Sequence, residues 1–292
     1  MRIRPLPFLN ITLAMLASCS DAGGRDPEDP ARPAATVAVD IVGGRSDKGR
    51  DPAVVAIDIE GEGLCSGTLV APHVVMTARH CVSYTTDAPD CDSLAPQVFG
   101  ERDASNLGIL VGDDIWTAQT VAWGKELIVP PSDRLCDADI AFVVLDREVE
   151  TVEPVEVELD DGVRFGQLVR AVGFGRRGDE KSSGRKYVRR NVPVLDATSY
   201  EFRVGEATCS GDSGGPALDQ SSGAVLGVVS RGGPTCEGPY VHNLYTRADA
   251  FAELMMAALE RAPEPPGRPC GPGKRCPNGY HCGADKLCEP VR

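Results

Sequence analysis

Aromatic residues are scarce in this chain: its 292 residues include only 2 Trp, 6 Tyr and 7 Phe. Positive charge is in deficit too, with 30 Lys and Arg against 43 Asp and Glu and a formal net charge of -13. A surface of that sign repels a polyanion, which excludes nucleic acid as a partner. Long apolar runs are also missing. The run near the start, Phe8 to Leu16, is broken by Asn10 and Thr12 and is too short to cross a bilayer. What remains, 42% hydrophobic and 25% charged, is an ordinary globular balance, so the expectation is one large folded domain with a small appendage.

Cysteine is not scarce. Eleven are present, mostly without the Cys-x-x-Cys spacing of zinc sites, and so many thiols point to an oxidising destination. The first residues agree: Arg2 and Arg4 precede the short apolar run, the pattern of a signal peptide over residues 1–18. That run ends in Leu16-Ala17-Ser18-Cys19, which resembles the bacterial lipoprotein box, where the thiol takes a lipid after cleavage. Parity favours lipidation of Cys19, because ten cysteines then remain to pair. The alternative is ordinary secretory cleavage near Ala17 that leaves Cys19 free. The expected localisation is bacterial, secreted or cell-envelope, with a lipid on Cys19 as the membrane link.

Residues 19–40 are rich in Asp, Pro, Gly, Ala and Arg without hydrophobic periodicity, the composition of a flexible leader. Structured sequence begins at Ile41. Short β-branched runs follow, among them Val54 to Ile59, Gly67 to Val70, Val74 to Thr77, Ile140 to Leu145, Leu168 to Val172 and Val225 to Ser230. Near-continuous apolar strands with no helix patterns between them predict an all-β domain of closed antiparallel barrels. Phe251, Leu254, Met255, Ala258 and Leu259 then fall on one helix face, predicting a single helix that closes a domain over residues 41–262. A Pro-rich linker, residues 263–269, leads to a module over 270–292 with Cys270, Cys276, Cys282 and Cys288 at equal intervals. Two bridges among these four are expected, in any of three connectivities, with a zinc site as the alternative.

Three motifs carry chemistry. Gly211-Asp212-Ser213-Gly214-Gly215-Pro216 puts a serine on a glycine-rich turn, where its hydroxyl is exposed and backbone N–H groups reach an attacked carbonyl. Thr77-Ala78-Arg79-His80-Cys81 ends an apolar strand, and Asp139-Ile140-Ala141 opens one. Together with Ile41-Val42-Gly43-Gly44 these residues resemble the chymotrypsin/trypsin family of serine proteases, over residues 41 to about 262. The order His, Asp, Ser separates this reading from subtilisin-like and α/β-hydrolase enzymes.

The resemblance implies two six-stranded antiparallel barrels and hydrolysis of peptide bonds through an acyl-enzyme, with Ser213 as nucleophile, His80 as general base and Asp139 orienting it. Asp137 competes for the acid role, but only Asp139 directly precedes the Ile-Ala strand. Gly211 and Ser213 would form the oxyanion hole. Cleavage before Ile41 would free an α-ammonium that pairs with Asp212 and completes that hole. The residue before the cut is Asp40 rather than Arg or Lys, so the activating protease is of another kind, or trimming is stepwise, or the chain stays a zymogen. Ala207 matches the pocket floor, with Thr208 beside it; Gly232 would leave the pocket open, and Ser230 would support Asp139. Without an acidic floor the expected preference is an uncharged residue on the acyl side, unless Glu206 or Glu237 reaches in. The family pattern pairs Cys65 with Cys81 and Cys209 with Cys236, and Cys91 is then paired with Cys136. No metal or organic cofactor is implied. The expected partners are a protein or peptide substrate and an activating protease, and the default state is a monomer. The rival readings are a catalytically silent binding protein on the protease fold and an esterase side activity.

Overall fold

A computed structural model describes residues 41–60, 62–179, 181–261, 280–282 and 288–290. The expected signal peptide, the leader with Cys19 and the linker lie outside the described residues, as do Cys270 and Cys276.

The first half after β1 (Arg45–Ser46) contains β2 (Val54–Ile59), β3 (Gly63–Ala71), β4 (Val74–Thr77), β5 (Ser83–Thr85), β6 (Val98–Glu101), β7 (Leu107–Val111), β8 (Gln119–Ile128) and β9 (Ala141–Leu145). Strands β2, β3, β4, β9, β8 and β7 close into a six-stranded barrel whose pairings are all antiparallel. The second half contains β10 (Leu168–Gly173), β11 (Tyr187–Ala197), β12 (Glu201–Gly205), β13 (Pro216–Asp219), β14 (Val225–Gly232) and β15 (His242–Arg247). These run β11-β10-β13-β14-β15-β12, and the β11–β12 pairing closes a second six-stranded barrel, with β1 added beside β11. The fold is therefore the all-β, two-barrel architecture expected of a chymotrypsin-like protein.

The near-continuous apolar strands have a physical reason. Successive side chains of a strand face opposite ways. In β2, Val55, Ile57 and Ile59 point into the barrel with Leu69, Val75, Leu107, Ile109 and Val143. Their neighbours Val54 and Ala56 point outward, yet they too are buried, against Met76 and Phe142 and against Val172, Phe174 and Val228 of the second barrel. One set fills the barrel and the other fills the seam between barrels, so alternation with polar residues is lost. Each fully buried Val or Ile contributes about 1.5–3 kcal/mol of burial free energy. The helix α2 (Ala252–Arg261) packs Met255 and Ala258 into the same seam cluster.

Disulfides join Cys65 to Cys81, Cys91 to Cys136, and Cys209 to Cys236. In the C-terminal segment, β16 (Tyr280–Cys282) pairs antiparallel with β17 (Cys288–Pro290), and Cys282 is disulfide-bonded.

Candidate active site

The cleft that matters opens where loops of the two barrels meet. It encloses about 720 Å³ and is lined by His80 and Asp139 from the first barrel and by Thr208, Ser213, Ser230, Arg231, Gly232 and Asn243 from the second. His80 sits in a one-turn helix, α1 (Arg79–Val82), directly after β4. That turn is anchored below by the Cys65–Cys81 bridge and laterally by Arg79, whose guanidinium donates to the Pro130 carbonyl at 2.8 Å and to Glu101 at 2.9 Å.

Asp139 is 2% exposed and is held on both sides. Its Oδ1 accepts the His80 backbone N–H at 2.9 Å, and its Oδ2 lies 2.8 Å from His80 Nδ1 and accepts the Ser230 hydroxyl at 2.7 Å. Burial alone would raise its pKa, but the charge of His80 and these hydrogen bonds outweigh it and hold the carboxyl below its ordinary value. For His80, burial works to lower the pKa, and the Asp139 charge and hydrogen bond overcome it, leaving the imidazole above its ordinary value. An ionised Asp139 therefore fixes the proton on Nδ1 and leaves Nε2 as the basic nitrogen. Asp137 stands apart: its backbone N–H donates to Glu201 at 3.1 Å, and its φ is +64°.

Ser213 follows a turn that only glycine can make. Gly211 has φ +99°, and a Cβ there would meet the Cα of Gly175 at 2.9 Å. Gly214 has φ +76°, and a Cβ there would fall 2.0 Å from the Thr77 hydroxyl. Among the described residues, the backbone N–H groups of Gly211 and Ser213 donate to no acceptor. The turn is fastened to the first barrel by Ser66. Its N–H donates to the Ser213 carbonyl at 2.8 Å, its hydroxyl donates to the Gly211 carbonyl at 2.9 Å, and the same oxygen accepts the Phe174 N–H at 3.1 Å. Ser66 carries no motif signal beyond following Cys65, and the sequence reading missed it.

Asp212 and Ile41 are both fully buried. The Asp212 carboxylate accepts N–H groups from Gly175 at 2.7 Å and Cys209 at 2.9 Å, and among the described residues no cation pairs with it. Burial pushes its pKa up to about 7, against those two hydrogen bonds. The Ile41 side chain lies in the second barrel's core with Ala207, Val229 and Tyr245. Its φ of +40° is an outlier for a β-branched residue.

In the pocket beside the nucleophile, Ala207 is fully buried against the barrel core. Asn243 lines the cleft next to Thr208. Its Oδ1 accepts the N–H groups of Ala207 at 2.9 Å and Thr208 at 3.0 Å, and its Nδ2 donates to the Thr208 carbonyl at 3.3 Å. A Cβ placed on Gly232 would meet Asn243 Nδ2 at 2.8 Å, so the amide packs directly beside the glycine. Glu206 pairs with Arg189 at 3.0 Å and accepts the Gly238 N–H, while Glu237 lies against Gly178. Of the remaining histidines, His73 is buried 3.1 Å from Glu148 and His242 is exposed on β15.

The family model for trypsin matches residues 41–255. The chain is 28% identical over 220 residues to a CLIP domain-containing serine protease B4 of Anopheles gambiae, covering 65% of this chain and 60% of that one. It is 29% identical over 232 residues to a vitellin-degrading protease of Bombyx mori (69% and 78% covered). To a trypsin of Saccharopolyspora erythraea it is 26% identical over 241 residues (75% and 98% covered). The chain thus spans about 60% of the length of the CLIP-domain relatives it matches. With the two-barrel fold and the cleft on its seam, the match over residues 41–255 establishes that the chain belongs to the trypsin family.

Proposed function

We propose that this chain is a secreted serine endopeptidase in which Ser213 attacks the peptide carbonyl, His80 takes the serine proton and Asp139 stabilises the resulting imidazolium. The observation that carries the reading is the hydrogen-bonded run from Ser230 through Asp139 to His80 Nδ1, in the cleft that Ser213 also lines. The N–H groups of Gly211 and Ser213 receive the oxyanion, an acyl-enzyme forms, and water attacks it with His80 again as base. Activity falls as pH drops through the raised His80 pKa, because the imidazolium cannot accept the serine proton. The disulfides of the two barrels suit an oxidising compartment.

Activation proceeds by cleavage before Ile41. Its support is a buried carboxylate, Asp212, with backbone partners and, among the described residues, no cation, and a strained Ile41 already seated in the same barrel. A new α-ammonium would supply the missing charge. Asp40 calls for an activator that cuts after an acidic residue, or for stepwise trimming. A lipid on Cys19 would tether the uncut chain, and the same cut would release it.

The preferred residue on the acyl side is uncharged and small, since Asn243 fills the pocket base and both nearby glutamates are engaged elsewhere. Two measurements test these assignments. Labelling with a fluorophosphonate should place the adduct on Ser213 in a chain that starts at Ile41, and Ser213→Ala should abolish both labelling and peptide cleavage; cleavage that survives the substitution sinks the mechanism. In a peptide library the cut should follow Ala-, Ser- or Val-sized residues, and Asn243→Gly should raise the rate after Leu or Phe by roughly 10- to 100-fold. Strong wild-type cleavage after Arg would overturn the specificity.

A further inference from the structure

Arg231 follows Ser230 on β14 and lines the cleft, with its side chain 20% exposed. Its guanidinium grips Glu201 of β12 in a two-pronged pair, Nη1 to Oε1 at 2.5 Å and Nη2 to Oε2 at 2.7 Å. Nη1 also donates to the Ser230 hydroxyl oxygen at 3.3 Å. That hydroxyl has one proton, and since its oxygen already accepts from a cation, the proton goes to Asp139 Oδ2 at 2.7 Å. An unbroken line of side chains, Glu201, Arg231, Ser230, Asp139 and His80, thus runs from the second barrel to the imidazole of the first.

We propose that Arg231 is a positioning residue whose fixed positive charge sets the proton affinity of His80, with Glu201 governing how much of that charge the triad feels. The proposal rests on His80 acting as the general base.

The physical case is one of sign. A guanidinium on the far side of Asp139 disfavours the imidazolium and favours the free base. Glu201 works the other way, by neutralising the guanidinium. The pair is bound into one electrostatic unit with the triad: burial would weaken the Arg231 charge, but Glu201, then Asp139 and Asp137, hold it protonated. The other charged groups around the imidazole have different engagements. Asp137 precedes β9 and gives its backbone N–H to Glu201; Asp87 lies on the cleft rim after β5; Arg79, on α1 itself, is turned toward Pro130, Ser132 and Glu101. Glu201 is 6% exposed, so its effect is screened far less than that of a surface carboxylate.

The test is the acid limb of kcat/KM, measured on the full chain cleaved before Ile41 with an uncharged peptide. Arg231→Gln should move the limb to higher pH and Glu201→Gln to lower pH, each by about half a pH unit, the scale of one charge acting through partly solvated protein. Arg231→Lys keeps the charge and should leave the limb in place, while the double substitution should return it close to wild type. A purely structural role would lower the rate in every variant and move no limb, or move both limbs the same way, and either result overturns the proposal. Should Arg231→Gln fail to fold, the sign given by Glu201→Gln decides alone. NMR titration of the His80 imidazole in the Ser213→Ala chain reads the same shifts without turnover. Absence of Ser213-dependent cleavage therefore counts against the protease reading, whereas an unmoved imidazole titration counts against the role of Arg231.

Discussion

Two aspartates sit at nearly the same depth in this molecule, Asp139 at 2% exposure and Asp212 at 0%, and their carboxyl groups titrate in opposite directions. Asp139 is held below its ordinary value, Asp212 is pushed up to about 7. Burial acts on both alike, so the difference lies in their partners. Asp139 faces an imidazole, a hydroxyl and an N–H; Asp212 has two N–H groups and, among the described residues, no cation. A buried carboxylate needs an opposite charge to remain ionised cheaply. On our reading Asp139 already has its charge partner in the joined chain, and the site beneath the nucleophile waits for the terminus that cleavage creates.

Breaking the complete site has the largest expected effect. Asp139→Asn keeps the shape but removes the charge that fixes the imidazole tautomer, and kcat should fall about 10⁴-fold with little change in KM. Steady-state kinetics on the cleaved chain checks this.

The next effect, smaller in energy, sharpens the contrast by completing the second site. A carboxyl whose folded pKa is raised contributes stability in full below its unfolded value of 3.8 and loses it as pH rises through about 7. At about 1.36 kcal/mol per unit, the joined chain should lose roughly 4 kcal/mol over that interval on account of Asp212. Cleavage before Ile41 should remove most of the loss, as should Asp212→Asn in the joined chain. Chemical unfolding of cut and uncut protein at pH 4 and pH 7.5 captures most of it, and equal pH dependence in the two forms would refute the ammonium pairing.

The smallest expected effect probes the strut between the two sites. Ser66→Ala frees the Gly211 carbonyl and leaves the Phe174 N–H without its acceptor, at about 1 kcal/mol for a net hydrogen bond. The oxyanion turn should loosen and kcat should drop roughly fivefold. Thermal stability should fall by a few degrees, and substrate KM should hold.

Strands β2 and β9 of the first barrel were readable because nearly all of their side chains are buried, so Val54 to Ile59, broken only by the exposed Asp58, and Ile140 to Leu145 present apolar runs. Strands β11 and β12 were not among the runs that stood out. The outward face of β11 carries Arg190, Asn191 and Asp196 to solvent, and Asn191 has φ +58°, which breaks the local pattern; β12 is short, and Glu201 and Arg203 interrupt its apolar residues. The cleft was readable in the same uneven way. His80, Asp139 and Ser213 each lie in a short motif whose neighbours serve the same chemistry. Ser66 and Asn243 make their contacts with residues far away in the chain, and nothing beside them in sequence marks them; Arg231 stands next to the marked Ser230, but its partner Glu201 lies 30 residues away.

The sequence by itself determined the class of fold, the family and the residues that carry its motifs, because apolar burial on two faces and a glycine-bound nucleophile turn are local requirements written in adjacent residues. Only the tertiary structure brought the Asn243 amide to Ala207 and Thr208 and linked Glu201 through Arg231 to Ser230. It alone also left Asp212 buried with backbone partners and no cation among the described residues. Each of these depends on which distant side chains share one low-dielectric volume, and closure of the barrels is what brings those side chains together.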